Sequence, residues 1–139
     1  MAGDNFYTMD SNGRVTIPVK FRELLGESVQ ITRGIGEPCL YVYSKENWEI
    51  QKRKILDKGS SVNLRKIRRF FLGMSEELPL DKQGRITIPK DFRTYADLSK
   101  KLFIADVGDH IEIWDKDKWD EEVSIDPMDI SAIWEEFDL

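Results

Sequence analysis

Short apolar runs separated by tight turn signals make up most of the chain, and the period of the apolar positions tells strands from helices. Val29-Gln30-Ile31-Thr32-Arg33 alternates every two residues, as a half-buried strand does. Gly34, Gly36 and Pro38 interrupt it, and Cys39-Leu40-Tyr41-Val42-Tyr43 follows as a second strand, so the pair predicts a hairpin. The plan returns as Leu102-Phe103-Ile104-Ala105 and His110-Ile111-Glu112-Ile113-Trp114 around Gly108. Shorter β-prone runs occupy Arg14-Val15-Thr16-Ile17 and Arg85-Ile86-Thr87-Ile88. Phe6-Tyr7-Thr8-Met9 leads into the first of these, and Leu78 and Leu80 lead into the second. Elsewhere the period is helical. Ser44 is predicted to cap a helix carrying Trp48, Ile55 and Leu56. Asn63, Ile67, Phe70, Phe71 and Met74 follow at helical spacing, the last four predicting an apolar face. Near the end, Asp126-Pro127 reads as a cap followed by proline at the first helical position. Ile130, Ile133, Trp134 and Phe137 then form an i, i+3, i+4, i+7 stripe, which the chain's own body or a neighbouring subunit is expected to bury.

These elements belong to a repeat. Residues 10–22, beginning Asp10-Ser11-Asn12-Gly13-Arg14, recur 71 positions later as residues 81–93, beginning Asp81-Lys82-Gln83-Gly84-Arg85, with eight of thirteen positions identical. The offset holds downstream for Ser44 and Asp115 (both favoured caps), Lys45 and Lys116, and Trp48 and Trp119. A constant, ungapped offset means a duplicated structural unit. Each copy reads as strand, turn, strand, helix. Gly13 and Gly84 supply the positive φ of the turn. Pro18 and Pro89 cannot continue a central strand but suit the first position of a helix, and Gly26 suits the end of one. Arg14 and Arg85 leave the turn directly after glycine, at the tip of a stiff hairpin, where a guanidinium can be presented outward. Asp10 has two readings: a turn residue whose carboxylate accepts nearby backbone N–H groups, or an electrostatic brace for Arg14. The expected divisions are a first repeat at 3–58, a connecting basic amphipathic helix at 59–77, a second repeat at 78–122 and an acidic C-terminal helix at 123–139.

Charge sharpens this picture. The net charge of -5 conceals a segregation: residues 115–139 carry ten Asp/Glu and two Lys, whereas residues 52–69 hold eight Lys/Arg against Asp57 alone. The basic stretch reads either as a solvated face or as a surface for phosphate or for a neighbour's acidic tail, weakened by salt. Only one cysteine is present, which excludes an intrachain disulfide and suits a reducing cytoplasm. Cys39 reads as a small core residue and His110 as a turn or strand residue. One histidine and one cysteine do not make a conventional metal site, so no metal is expected. No signal-like or membrane-length apolar run occurs, and no membrane association is expected. Gly34-Ile35-Gly36 lacks the rest of a dinucleotide fingerprint. No cofactor, small-molecule substrate or catalytic residue is implied, and the chain reads as a non-enzyme.

The twofold Asp-x-x-Gly-Arg-x-x-Ile-Pro block resembles the MraZ family of bacterial transcriptional regulators over nearly the whole chain. Gly3, Thr32-Arg33-Gly34, Phe70-Phe71, and Ile111-Glu112-Ile113-Trp114 before Lys118-Trp119 add to the likeness. A single block would point only to the wider AbrB-like group, which includes antitoxins. The resemblance implies an α+β, mainly β fold: a swapped-hairpin AbrB-like β-barrel formed by the two repeats, with flanking helices. It also implies a cytoplasmic, nucleoid-associated, ring-shaped homo-oligomer. The partner implied is double-stranded promoter DNA, bound at repeated elements ahead of the division and cell-wall gene cluster, with repression as the expected outcome. Arg14 and Arg85 are the implied DNA contacts, with Asn12, Lys82 and Gln83 as secondary ones. Asp10, Gly13, Pro18, Asp81, Gly84 and Pro89 are the residues that build the turns. Ser11-Asn12 carries no charge beside Arg14, so the two turns are expected to contribute unequally. The alternative is an antitoxin-like or scaffold interaction protein that uses the acidic helix as its partner-binding segment.

Overall fold

The computed structural model describes residues 6–139, which leaves Gly3 outside the described residues. The first repeat contributes β1 (Tyr7–Thr8), β2 (Arg14–Thr16), α1 (Val19–Leu25), β3 (Ser28–Arg33), β4 (Leu40–Ser44) and α2 (Lys45–Asp57). After α3 (Val62–Ile67) and a π-helical segment (Arg68–Gly73), the second repeat follows the same order. It contributes β5 (Glu76–Pro79), β6 (Arg85–Thr87), α4 (Lys90–Tyr95), β7 (Lys101–Asp106), β8 (Ile111–Asp115) and α5 (Lys116–Glu122). A last helix, α6 (Pro127–Glu136), has no counterpart in the first half.

The turn-flanking strands cross between repeats. β1 pairs with β7 of the second repeat, and β5 pairs with β3 of the first. β2 and β6 form an antiparallel ribbon with Arg14 opposite Thr87, Val15 opposite Ile86 and Thr16 opposite Arg85. The remaining strands build a curled six-stranded sheet in the order β1-β7-β8-β4-β3-β5, a half-barrel whose centre is the β4–β8 pairing around Tyr41 and Glu112. The fold is therefore α+β and mainly β, a swapped-hairpin barrel assembled from two halves of one chain.

The interior follows the 71-residue offset. Val15, Ile17, Phe21, Leu40 and Val42 are buried in one cluster with Ile86, Ile88, Phe92, Ile111 and Ile113, their equivalents in the second repeat. β-branched residues at alternate positions place one face of each strand in this core, and each fully buried Ile, Val or Leu contributes about 1.5–3 kcal/mol. A smaller cluster of Tyr43, Trp48 and Phe71 lies under α2, with the Trp48 ring stacked on Phe71. The Thr32-Arg33-Gly34 and Phe70-Phe71 signatures meet there: Thr32 Oγ1 donates to the Phe71 carbonyl at 2.7 Å, and Arg33 lies 3.7 Å over the Phe70 ring.

Several local expectations are corrected. Pro18 and Pro89 sit one position earlier than predicted, as the N-cap residues of α1 and α4, because their extended ψ closes the preceding strand. Ser44 caps α2 by accepting from Asn47 N at 3.1 Å, but Asp115 at the matching position turns away from α5. Its carboxylate accepts from Ser99 Oγ at 2.6 Å and Ser99 N at 3.1 Å, a tertiary contact that displaces the local one. Residues 67–74 do not present a single apolar face. The π-helical turn shifts the register, so Phe71 is buried while Ile67 and Met74 stay exposed. Of the two covers expected for the α6 stripe, the chain's own body does not supply one among the described residues, where Trp134 and Phe137 are 57% and 66% exposed, and the neighbouring subunit stands as the other.

His110 lies beside β8 between the rings of Tyr41 and Tyr43, with centroids 4.4 and 4.9 Å away. Burial pushes its pKa down, but the Asp109 and Glu112 carboxylates, at 2.6 and 3.6 Å, outweigh that and raise it. A raised folded-state pKa contributes stability that is fully present below about pH 6.5 and is lost as the pH climbs through the folded value. Thermal unfolding followed from pH 5 to 9 is expected to show the midpoint falling across that window. His110→Gln should flatten the slope, and an unchanged slope would remove His110 as its source.

Candidate nucleic-acid interface

Each tip is built by one carboxylate. Asp10 Oδ1 accepts from Asn12 N and Arg14 N, both at 2.9 Å, and its Oδ2 accepts from Arg14 Nε at 2.7 Å. Asp81 repeats the set with Gln83 N at 2.9 Å, Arg85 N at 2.8 Å and Arg85 Nε at 2.8 Å. The two readings of Asp10 are thus one arrangement, in which the carboxylate that closes the turn also fixes the guanidinium. The backbone N–H groups of Arg14 and Arg85 are the largest influence on the two carboxyls and, with the arginine side chains, hold both below their ordinary value against an opposing desolvation.

Gly13 and Gly84 have φ of 82° and 74°, the left-handed region that favours glycine. They also admit a close neighbour from the other repeat. A Cβ on Gly84 would fall 2.1 Å from Arg22 Cζ, and one on Gly13 would fall 2.9 Å from the Ile88 carbonyl and 3.0 Å from Arg93 Nε. Each turn therefore rests on an arginine of the opposite repeat. Arg22 is pinned by donating from Nε to the Ile17 carbonyl at 2.6 Å, whereas Arg93 Nε is buried without a hydrogen-bond partner.

The ribbon has two faces. Val15 and Ile86 point into the core, while Arg14, Thr16, Arg85 and Thr87 share the outward face, with both threonines exposed. Strand geometry puts the Arg14 and Arg85 Cα atoms roughly 8 Å apart, since they sit one step to either side of the Val15–Ile86 pair. Their side chains are 40% and 31% exposed. Among the described residues, their terminal amino groups make no hydrogen bond, because aspartate engages only Nε. Asn12, Lys82 and Gln83 are exposed at the turns. The arrangement offers two oriented planar donor sets on a stiff two-stranded ribbon, flanked by hydroxyls. Thr16, Thr87, Arg22 and Arg93 were not singled out from the sequence. Their signal was identity between repeats at positions the core does not need.

Away from the tips, Glu37, Cys39 and Glu112 bring donor atoms within 4.8 Å of one another. Burial, then the nearby Glu112 and Glu37 carboxylates, push the Cys39 thiol up. Its side chain is fully buried, which fits the core role read from the sequence. Among the described residues, no helix is long and apolar enough to cross a membrane.

Comparison with known proteins places these features in a family. Residues 1–67 and 71–133 each match the family described as MraZ protein, antitoxin-like. The chain is similar to the Transcriptional regulator MraZ of Ligilactobacillus salivarius, 39% identical over 141 residues covering 99% of this chain and 98% of that protein. It is 38% identical to the Transcriptional regulator MraZ of Caldicellulosiruptor saccharolyticus, covering 96% and 93% of the two chains. That of Dictyoglomus thermophilum is 42% identical over 120 residues, covering 86% and 82%.

Proposed function

The chain belongs to the MraZ family, and from that membership we propose that it is a transcriptional regulator that grips double-stranded promoter DNA with the outward face of the β2–β6 ribbon. The observation that carries this reading is the pair of Asp-braced arginines on one two-stranded ribbon, each with a partly exposed side chain and, among the described residues, no hydrogen bond to its terminal amino groups. A two-stranded ribbon fits the major groove. There an arginine fork bonds guanine O6 and N7 together, or a phosphate. Thr16, Thr87, Asn12 and Gln83 are placed to reach phosphate oxygens, and Lys82 adds a salt-sensitive one.

Magnitudes then demand more than one copy. A good bidentate contact gives about 1–3 kcal/mol of discrimination, whereas specific sites are held about 4–10 kcal/mol better than non-specific DNA. A ring-shaped homo-oligomer presenting several ribbons to repeated promoter elements closes the gap, since later contacts become intramolecular. Such an assembly seated ahead of the division and cell-wall gene cluster represses it by occupying the promoter. Among the described residues, the exposed α6 is the feature that favours an interaction-protein reading.

The test is titration of the purified protein onto its own upstream duplex and onto a random duplex, at about 50 mM and about 200 mM salt. The upstream duplex is expected to bind at least about 10³-fold tighter, with affinity for both falling as salt rises. Equal binding to the two duplexes would overturn the reading.

A further inference from the structure

We propose that α6 of one copy docks on the α2–α3 surface of a second copy, making a head-to-tail contact between two different patches of the same chain. The inference rests on the homo-oligomer reading above and names the surfaces that would build it.

The first patch is α6 itself. Every residue from Asp120 to Leu139 is exposed, so the helix leaves the body after Val123 with its apolar stripe bare. Ile130, Ile133, Trp134 and Phe137 share one helical face, and Trp134 and Phe137 alone offer a large aromatic area to a partner. Asp129, Glu135, Glu136 and Asp138 flank it, and no lysine or arginine follows Lys118. Among the described residues none of these four acids is in a salt bridge.

The second patch is its complement. Val62, Arg65, Lys66 and Arg69 lie at i, i+3, i+4 and i+7 along α3 and the start of the π-helical segment, and all four are exposed. On α2, Ile50 and Lys54 are four residues apart and both exposed. Among the described residues, Lys54, Lys66 and Arg69 form no salt bridge; Arg53 with Asp57, at 3.9 Å, is the nearest such pair. One surface is apolar and purely acidic, and the other is apolar and basic. Joining them buries Trp134 and Phe137 and neutralises both charge runs.

The occupant follows from chemistry. DNA is excluded from α6 because its flanks repel phosphate. A second copy always carries the matching basic surface at equal concentration. Because the patches differ, the contact is heterologous, and copies joined this way close into a ring when the rotation allows.

Sedimentation velocity on the full-length chain tests the proposal at low and high salt. The parent is expected to associate, and Trp134→Ala with Phe137→Ala should weaken association at least tenfold while leaving the unfolding midpoint unchanged. Charge reversal supplies the decisive arm. Glu135→Lys with Glu136→Lys, and separately Arg65→Glu with Lys66→Glu, should each weaken self-association, and mixing the two variants should restore it. Association that survives the aromatic substitutions, or a mixture that fails to recover, overturns the docking while the homo-oligomer reading stands. A parent that is monomeric at every concentration overturns both. Binding to the upstream duplex, followed in parallel, reports separately on the ribbon.

Discussion

On the proposed function, replacing Arg14 and Arg85 together with alanine is expected to remove specific binding to the upstream duplex while leaving the fold and self-association unchanged. The expected loss at two contacts of about 1–3 kcal/mol each is roughly 30-fold to 10⁴-fold per chain, and avidity multiplies it. The fold survives because the turn does not depend on the guanidinium. Asp10 Oδ1 still accepts from Asn12 N and from the backbone N–H of residue 14, which alanine keeps. Gly13 N still donates to the Asp10 carbonyl at 3.0 Å, and the Val15–Ile86 pair is untouched. The backbone N–H of Arg14 is the largest influence holding the Asp10 carboxyl low, so the turn stays ionised and closed. Fluorescence anisotropy with labelled duplex and a circular-dichroism melt on the same samples read both halves of the prediction. A double variant that unfolds would make the arginines structural. Single variants add resolution: Arg85→Ala is expected to cost more than Arg14→Ala, because Lys82 and Gln83 stand beside Arg85 and extend its contact. Lys82→Ala should weaken all duplexes alike and reduce the salt slope by about one.

The repeat made most of this architecture legible. The strands came from period-two alternation, and the core from equivalent positions such as Leu40 and Ile111, or Val42 and Ile113. Which strands pair was a different matter. A run such as Arg14-Val15-Thr16-Ile17 carries no mark saying that its partner lies 71 residues away; its local neighbour is Met9, which forms only an isolated bridge with Val15. The swap was read from resemblance, not from periodicity. Three of the misses share a cause. Asp115 is a good cap by residue type, yet Ser99 from another part of the chain captures its carboxylate. Residues 68–73 depart from the 3.6-residue period because the π-helical turn ties Phe71 to Thr32. Arg22 and Arg93 drew no reading of their own from the sequence, although the swap turns each under the opposite tip. In these three cases the deciding partner was distant in sequence, and single-sequence pattern cannot weigh distant partners; the one-position shift of Pro18 and Pro89 is local, set by their own extended ψ.

The swap itself predicts that neither half folds as a monomer. In residues 1–58, β1 loses β7, β2 loses β6, β3 loses β5 and β4 loses β8, leaving only the β3–β4 hairpin. A lone two-stranded hairpin is marginal in water, and a chain of this size buries too little surface to offset its ordering. Val15, Ile17 and Phe21, buried in the whole chain, would face solvent. At concentrations too low for self-pairing, circular dichroism is therefore expected to show no cooperative transition for either half. Mixing residues 1–58 with residues 59–139 should restore sheet and a single melt, with a sedimentation mass of one copy of each. Two copies of the first half can imitate the pairing, since Val15 stands in for Ile86 and Ile17 for Ile88. The imitation fails at one point. It puts a second leucine, the equivalent of Leu25, where the fully buried Ala96 sits, and overpacking of that kind costs about 1–3 kcal/mol. Reconstitution should consequently outcompete self-pairing by roughly five-fold or more. A first half that melts cooperatively as a monomer would mean that the crossing strands are dispensable, and the ribbon carrying Arg14 and Arg85 could then form without the second repeat.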